Sequence, residues 1–386
     1  QYKRKRSRQG GKRKEIMTAD DDIAARLQLI NTEGIGPVGF KRLLARFSSA
    51  EEALRETAAK KKVPSRQWAE EELERVRSFG AVVLSSADPR YPQKLSELDD
   101  APPLLYVKGN IALLNHRPAV AVVGTRNATI IGRKLTSKIS FELTENDVLI
   151  VSGMARGIDA AAHKGAMYAK ERRGSTIAVL GTGIDRIYPP ENEELYHQIG
   201  EQGLLVSEYP MGTNAQSGNF PRRNRIVAAL SEAVLVAEAT GKSGSLITAR
   251  MAADRNRLIF AIPGSPGEAR SEGPNSLLRR GALWAENAAD ILNVLNSKIR
   301  PEPLRPTDGG ECDLFTKTLD NLQKTADIPP VKNCDKNSIL AYLSAEGTDT
   351  DEIIRSSGLD APSVAMLLIE LEMEDKIIRL PGNKIA

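Results

Sequence analysis

Cysteine is nearly absent from this 386-residue chain: Cys312 and Cys334 stand alone in loop-like sequence. Two isolated thiols make neither a disulfide framework nor a thiolate metal centre. Histidine is as scarce, with His116, His163 and His197 the only three. Asp159 and His163 sit four apart and would share a helix face, but no third ligand accompanies them, so a metal site is not expected. Aromatic residues make up only 4% of the chain, which leaves any core to aliphatic side chains. No apolar run approaches the roughly 18 residues of a membrane-spanning helix, and the start of the chain lacks the apolar segment of a signal peptide. A soluble, cytoplasmic protein is the expectation.

Several chemical signatures are missing too. No turn carries a full G-x-G-x-x-G, since Gly181-x-Gly183 lacks its third glycine. Gly241-Lys242-Ser243 lacks the upstream glycine of a P-loop, and G-x-S-x-G does not occur. These gaps argue against a dinucleotide cofactor, a Walker-type ATPase and a serine hydrolase. Asp185, Glu208 and Asp254 are scattered acids without paired spacing. The chain reads as a binder, with no catalytic residues, no cofactor and no metal.

What is present starts with charge. The formal net charge is +4, but residues 1–16 hold eight Lys and Arg against Glu15, a net of +7, so the remainder carries −3. A polyanion site must therefore be a local patch. The first 16 residues, without apolar content, read as a disordered basic arm or a tag remnant. Residues 17–75 read as a helical module, with Ile23, Leu27 and Ile30 at helical spacing, then Gly34-Ile-Gly36, then Leu43, Leu44 and Phe47. With Lys41 and Arg42 this looks like a helix-hairpin-helix, whose turn amides bind DNA phosphate; a packing or protein-contact domain is the alternative.

Residues 80–298 alternate apolar runs with helical segments. The strand candidates are 82–84, 104–107, 119–123, 148–151, 176–180, 204–206, 233–237 and 258–262. Continuous apolar runs mark strands buried on both faces, as in a doubly wound, mostly parallel α/β sheet of Rossmann-like kind. Residues 299–336 are rich in Pro and Gly and read as a linker. Residues 337–386 predict helices at 337–343, 351–356 and 361–374 and a hairpin, 377–380 with 384–385, the order of a winged helix-turn-helix. Its third helix carries Glu370, Glu372, Glu374 and Asp375, and such a helix is repelled from a DNA groove, so contact with protein or a regulatory role is expected of this module.

Candidate chemistry lies at the strand ends. Gly124-Thr125-Arg126, Ser152-Gly153 with Arg156-Gly157, Gly181-Thr182-Gly183 and the run from Gly241 through Ser243 to Ser245 are small-residue turns able to bring amides and hydroxyls to phosphate. Asn219-Phe220-Pro-Arg222-Arg223-Asn224-Arg225 adds three guanidiniums and an aromatic, directly before an apolar helical run at 226–230. Arg forks bind phosphate and Phe stacks on a base, a combination suited to nucleic acid.

Together these blocks, with Tyr188-Pro-Pro190, Ser207-Glu-Tyr-Pro210, Ser243-Gly-Ser-Leu-Ile-Thr248 and Pro263-Gly-Ser-Pro266, resemble the DNA-processing protein A family (DprA, also called Smf). The resemblance spans the whole central region, and the flanks look like the family's usual accessories. It implies a dimeric, non-catalytic single-stranded DNA-binding protein that protects incoming strands in natural transformation and loads the RecA recombinase. Carried over by motif, Thr125 and Arg126 hold phosphate, Gly153 and Gly157 allow close backbone approach, and Phe220 packs against a base. Arg222, Arg223 and Arg225 pin the backbone, while Asn224 bridges to a neighbouring turn. The family often has Lys where Arg222 stands. Two rivals are a nucleotide phosphoribohydrolase, whose P-G-G-x-G-T-x-x-E glutamate is missing here, and a scaffold whose arginines bind an acidic partner protein.

Overall fold

The computed structural model describes residues 19–116, 118–169, 175–297 and 348–357, and scattered positions from 364 to 385. The basic arm, the linker with both cysteines, and the helix expected at 337–343 lie outside the described residues. The chain divides into two compact units, Gln1–Gln323 and Lys324–Ala386. The helical module and the sheet thus belong to one unit.

Four helices open it: α1 (Ala19–Ile30), α2 (Pro37–Arg46), α3 (Ala50–Ala58) and α4 (Arg66–Ser78). Their ends follow capping chemistry. Ser49 accepts from the Glu52 amide, Ser65 accepts from the Trp68 amide, and Pro37 starts α2 where its missing N–H costs nothing. Leu29, Phe40 and Ala53 form a small core among the helices. Ala24, Leu27, Ala69, Leu73 and Val76 turn instead onto the sheet.

The sheet alternates with helices: β1 (Val82–Ser85), α5 (Gln93–Ser96), β2 (Leu104–Gly109), β3 (Ala119–Val123), α6 (Ile130–Glu145), β4 (Leu149–Ser152), α7 (Ile158–Tyr168), β5 (Thr176–Val179), α8 (Glu193–Gln202), β6 (Leu204–Ser207), α9 (Asn219–Ala229), β7 (Ala233–Val236), α10 (Gly244–Ala253), β8 (Leu258–Ala261), α11 (Glu272–Arg279), β9 (Leu283–Trp284) and α12 (Ala288–Asn296). All eight expected strands form. The strand order is β1-β2-β6-β5-β4-β3-β7-β8-β9. From β6 to β9 every pairing is parallel, and β1 and β2 add an antiparallel edge.

Burial on both faces accounts for the continuous apolar runs. In β3, Ala119, Ala121 and Val123 pack into one layer while Val120 and Val122 pack into the opposite one. The same alternation splits Val234 and Val236 from Ala233 and Leu235 in β7. Strand order reverses between β3 and β7, so the loops leaving Val123 and Val236 part to opposite faces and leave a crevice between them.

The second unit holds β10 (Thr348–Asp349), α13 (Thr350–Ser357), β11 (Arg379–Leu380) and β12 (Lys384–Ile385), with strand order β10-β12-β11. Ile353, Val364, Leu368, Leu371, Ile377 and Ile385 form its core. The hairpin matches expectation, and β10 is a third strand that sequence did not show. Of the four acids expected on its third helix, only Glu372 is among the described residues.

Candidate nucleic-acid interface

A groove of about 600 Å³ lies in the crevice beyond β3 and β7. The loop after β3 supplies Gly124, Thr125 and Arg126, and the loop into α10 supplies Lys242, Ser243 and Ser245. Phe220, Arg223 and Asn224 of α9 close it. A smaller cavity of about 180 Å³ adjoins it, sharing Arg126, Phe220 and Arg223 and adding Gly153 and Arg156. Two of the expected turns thus meet along one rim with Phe220, and the turn after β4 joins at its edge.

At the centre is a stack of three side chains. The Arg126 guanidinium lies 5.4 Å from the centroid of the Phe220 ring, and Tyr188 packs on the same ring at 5.3 Å with a 36° tilt. Arg126 is exposed and makes no ion pair among the described residues, so its charge is free for a ligand. Its loop is held firmly: the Thr125 amide donates to the Glu238 carbonyl at 2.6 Å, and the Asn127 amide donates to Thr125 Oγ1. Phe220 rests on Gly181, where any Cβ would come within 2.8 Å of the ring. Lys242 is likewise exposed on the opposite wall.

The three arginines of α9 do not all reach this rim. Sequence placed them ahead of a helix, but α9 starts at Asn219, so they occupy its first two turns and its 100° step separates them. Phe220, Arg223 and Asn224 fall on the groove side. Arg222 and Arg225 line a different groove, between α9 and the turn at Gly36–Pro37. Arg222 is exposed there, away from Arg126.

Arg225 is a correction to its expected role. Its guanidinium is buried, gripping Glu208 through Nη2 at 2.6 Å and Nη1 at 3.1 Å, with Asp100 at 2.9 Å from Nε. Burial works against this charge, and Glu208 with Asp100 outweighs it, so its pKa sits above the ordinary value. A guanidinium so engaged does not pin DNA.

Arg223 is buried as well. Its Nη1 donates to the carbonyls of Gly153 and Val179, and burial lowers its pKa to about 10 despite nearby Asp159. It stays charged at neutral pH, so it sets a fixed positive field under the rim while holding two strand ends together. Asp159, inside with it, has its carboxyl raised by burial. His163 is also internal, its Nδ1 2.7 Å from Thr176 Oγ1, and burial drops its pKa to about 3. His163 belongs to the interior while Asp159 borders the groove floor, and no group of three or more His, Cys, Asp or Glu poised for a metal occurs among the described residues.

Other expected ligands of phosphate also turn out to be framework. Ser152 is fully buried and donates to the Val122 carbonyl at 2.6 Å. Gly153 gives room to the Arg223 guanidinium, 2.6 Å from where a Cβ would stand, and Gly124 lets the β3 loop meet Ile158 and Glu238. Gly157 has φ +77° and lies against the carbonyls of Thr125 and Arg126, so both reasons demand glycine. Asn219 is buried, donating to the Gly181 carbonyl at 3.1 Å. Asn224 reaches the Gly244 carbonyl across the groove at 3.5 Å. Ser243 and Ser245 share a 2.8 Å hydroxyl contact, Ser243 capping α10. Arg156 is exposed, 3.3 Å from Glu191. Sequence reasoning gave Tyr188 and Lys242 no role, since a single exposed residue in a loop has no periodicity to flag it.

Comparison with known proteins identifies the family of the chain. The family model for DNA recombination-mediator protein A matches residues 82–296, one for a DprA-like N-terminal HHH domain matches 20–74, and one for a DprA winged helix domain matches 323–383. Protein Smf of Synechocystis is 35% identical over 403 aligned positions, covering 95% of this chain and 99% of that protein. The chain belongs to the DprA/Smf family. DNA processing protein DprA of Streptococcus pneumoniae is 47% identical over 208 residues, 54% of this chain and 72% of its own length. The X-ray structure of the Streptococcus pneumoniae DprA aligns with a TM-score of 0.62 at 35% identity, over 70% of this chain and 97% of that one. A Helicobacter pylori DprA structure concerned with its single-stranded DNA binding mode aligns at 0.51 and 33% identity, over 56% of this chain and 95% of that one. No described helix is long and apolar enough to cross a membrane.

Proposed function

We propose that this DprA/Smf family member binds single-stranded DNA in the groove at the β3–β7 switch point, without catalysing a reaction. One observation carries the reading: the guanidinium of Arg126, without an ion pair among the described residues, sits over the half-buried Phe220 ring of an aromatic stack in a groove floored by a buried cation. Phosphate engages Arg126 and Lys242 while an unstacked base lies against Phe220 and Tyr188, a pairing of charge and ring face that tolerates any sequence. A duplex keeps its bases stacked and offers the charge alone. Residues 80–298 carry the binding in this reading. Protection of incoming single strands in transformation, loading of the RecA recombinase, dimerisation and a cytoplasmic place of action accompany it as family roles.

The test is fluorescence anisotropy with a labelled oligothymidylate against a duplex of equal length, on the wild type and Arg126→Ala. Tight single-strand binding, lost in the variant, is the expected result. Equal affinity for both nucleic acids, or a variant that binds as the wild type does, contradicts the proposal.

A further inference from the structure

A second groove, of about 440 Å³, runs between α6 and α7. Arg133 and Lys134 of α6 face Lys164 and Tyr168 of α7 across it, with Ala160 and Ala161 lining it between them. The helices approach closely because Gly165 has no side chain: a Cβ there would come within 2.2 Å of the Ser137 carbonyl. Arg133, Lys134 and Lys164 are exposed and form no ion pair among the described residues. Tyr168 is 71% exposed. No carboxylate lines the groove among the described residues; Glu142 pairs with Lys138 at 3.8 Å, and Glu191 pairs with Arg156 at 3.3 Å.

Arg156 lines both this groove and the small cavity under Arg126 and Phe220. A run of basic side chains therefore leads from the first groove, over Arg156 with its exposed partner Glu191, into the second. We propose that the α6–α7 groove carries the continuation of the strand held at Arg126, its phosphates on Arg133, Lys134 and Lys164 and a base on Tyr168. The assignment rests on the single-strand reading of the first groove. Charge complementarity and the shared Arg156 favour one continuous polyanion over a separate acidic protein, and the exposed tyrosine favours unstacked bases over duplex.

The experiment uses the full chain carrying Arg133→Ala, Lys134→Ala and Lys164→Ala together, and oligothymidylates of about 5 and about 20 nucleotides, the shorter near the low end of site sizes for single-strand-binding folds. The expected result is affinity for the short oligonucleotide within twofold of wild type, which also shows the variant folded. For the long one, three lost phosphate contacts lower affinity at least tenfold and reduce the slope of log affinity against log salt by about 2. Tyr168→Trp adds a reporter: its emission changes with the long oligonucleotide and not with the short. Unchanged long-strand affinity and slope overturn the proposal, as does a loss confined to duplex DNA or to an acidic protein. Arg126→Ala separates this failure from that of the first groove, since it alone abolishes binding of the short oligonucleotide.

Discussion

Arg126 and Arg225 are the same residue type, and the two sites that hold them put it to opposite uses. At the strand-end rim, Arg126 is exposed, unpaired among the described residues and poised over Phe220. Beneath α9, Arg225 is closed between Glu208 and Asp100. A charge that is to meet a ligand must be left without a partner, and a charge that is to hold a fold must not. Arg223 stands between the cases, buried on main-chain carbonyls yet lining the groove, so its charge reaches the groove only as a field.

The largest effect expected from this contrast is on stability. Arg225→Ala leaves the largely buried Glu208 with its principal partner gone, a loss of about 3 kcal/mol, the low end for breaking a buried pair, read by chemical denaturation. Arg126→Ala leaves the denaturation midpoint unchanged. If the two variants exchanged these outcomes, the division between inside and outside would be wrong. Phe220→Ala comes next, weakening single-strand binding by about 1–3 kcal/mol through lost stacking. Gly181→Ala, which crowds the same ring, shifts binding in the same direction with Phe220 still present.

A smaller effect concerns the interior itself. Burial holds the folded pKa of His163 near 3, against an ordinary imidazole value of about 6.5. Between those values the unfolded chain takes up a proton that the native chain refuses. Stability from this group is therefore complete above about pH 6.5 and falls as pH drops, by about 1.4 kcal/mol per unit well below that value. Asp159 acts in the opposite sense, since its raised pKa lets the native state hold a proton more readily in acid. Comparing the pH dependence of denaturation for wild type and His163→Gln isolates the histidine: the variant lacks this part of the acid slope. The smallest effect is Lys242→Ala, a single exposed contact, with a loss in single-strand affinity of under about 1 kcal/mol.

The sheet was legible in the sequence because strands buried on both faces are mostly apolar, with a buried hydroxyl such as Ser152 or Thr176 needing its own hydrogen bond, so 119–123 and 233–237 stand out as runs. β9 was not, being two residues long. The rim turns were legible through their glycines, although Gly124, Gly153 and Gly157 make room for protein atoms, not for phosphate. The arginines of α9 were legible as a cluster but not as a surface. Asn, Pro and Arg at 219–225 hide a helix start, and without it the phase that turns Arg222 and Arg225 away from Arg126 has no origin. Tyr188 reaches Phe220 from 32 positions upstream in the chain, a contact that only the fold creates.

In the proposed binding mode, Arg126 at the β3–β7 crevice grips the phosphate backbone of a single strand. Measuring oligothymidylate affinity across a salt series for wild type, Arg126→Ala and Arg126→Lys tests it most directly. The account predicts that alanine lowers the slope of log affinity against log salt by about 0.7, one single-strand counterion, while lysine restores the slope and part of the affinity. Identical slopes and affinities for all three proteins would contradict it.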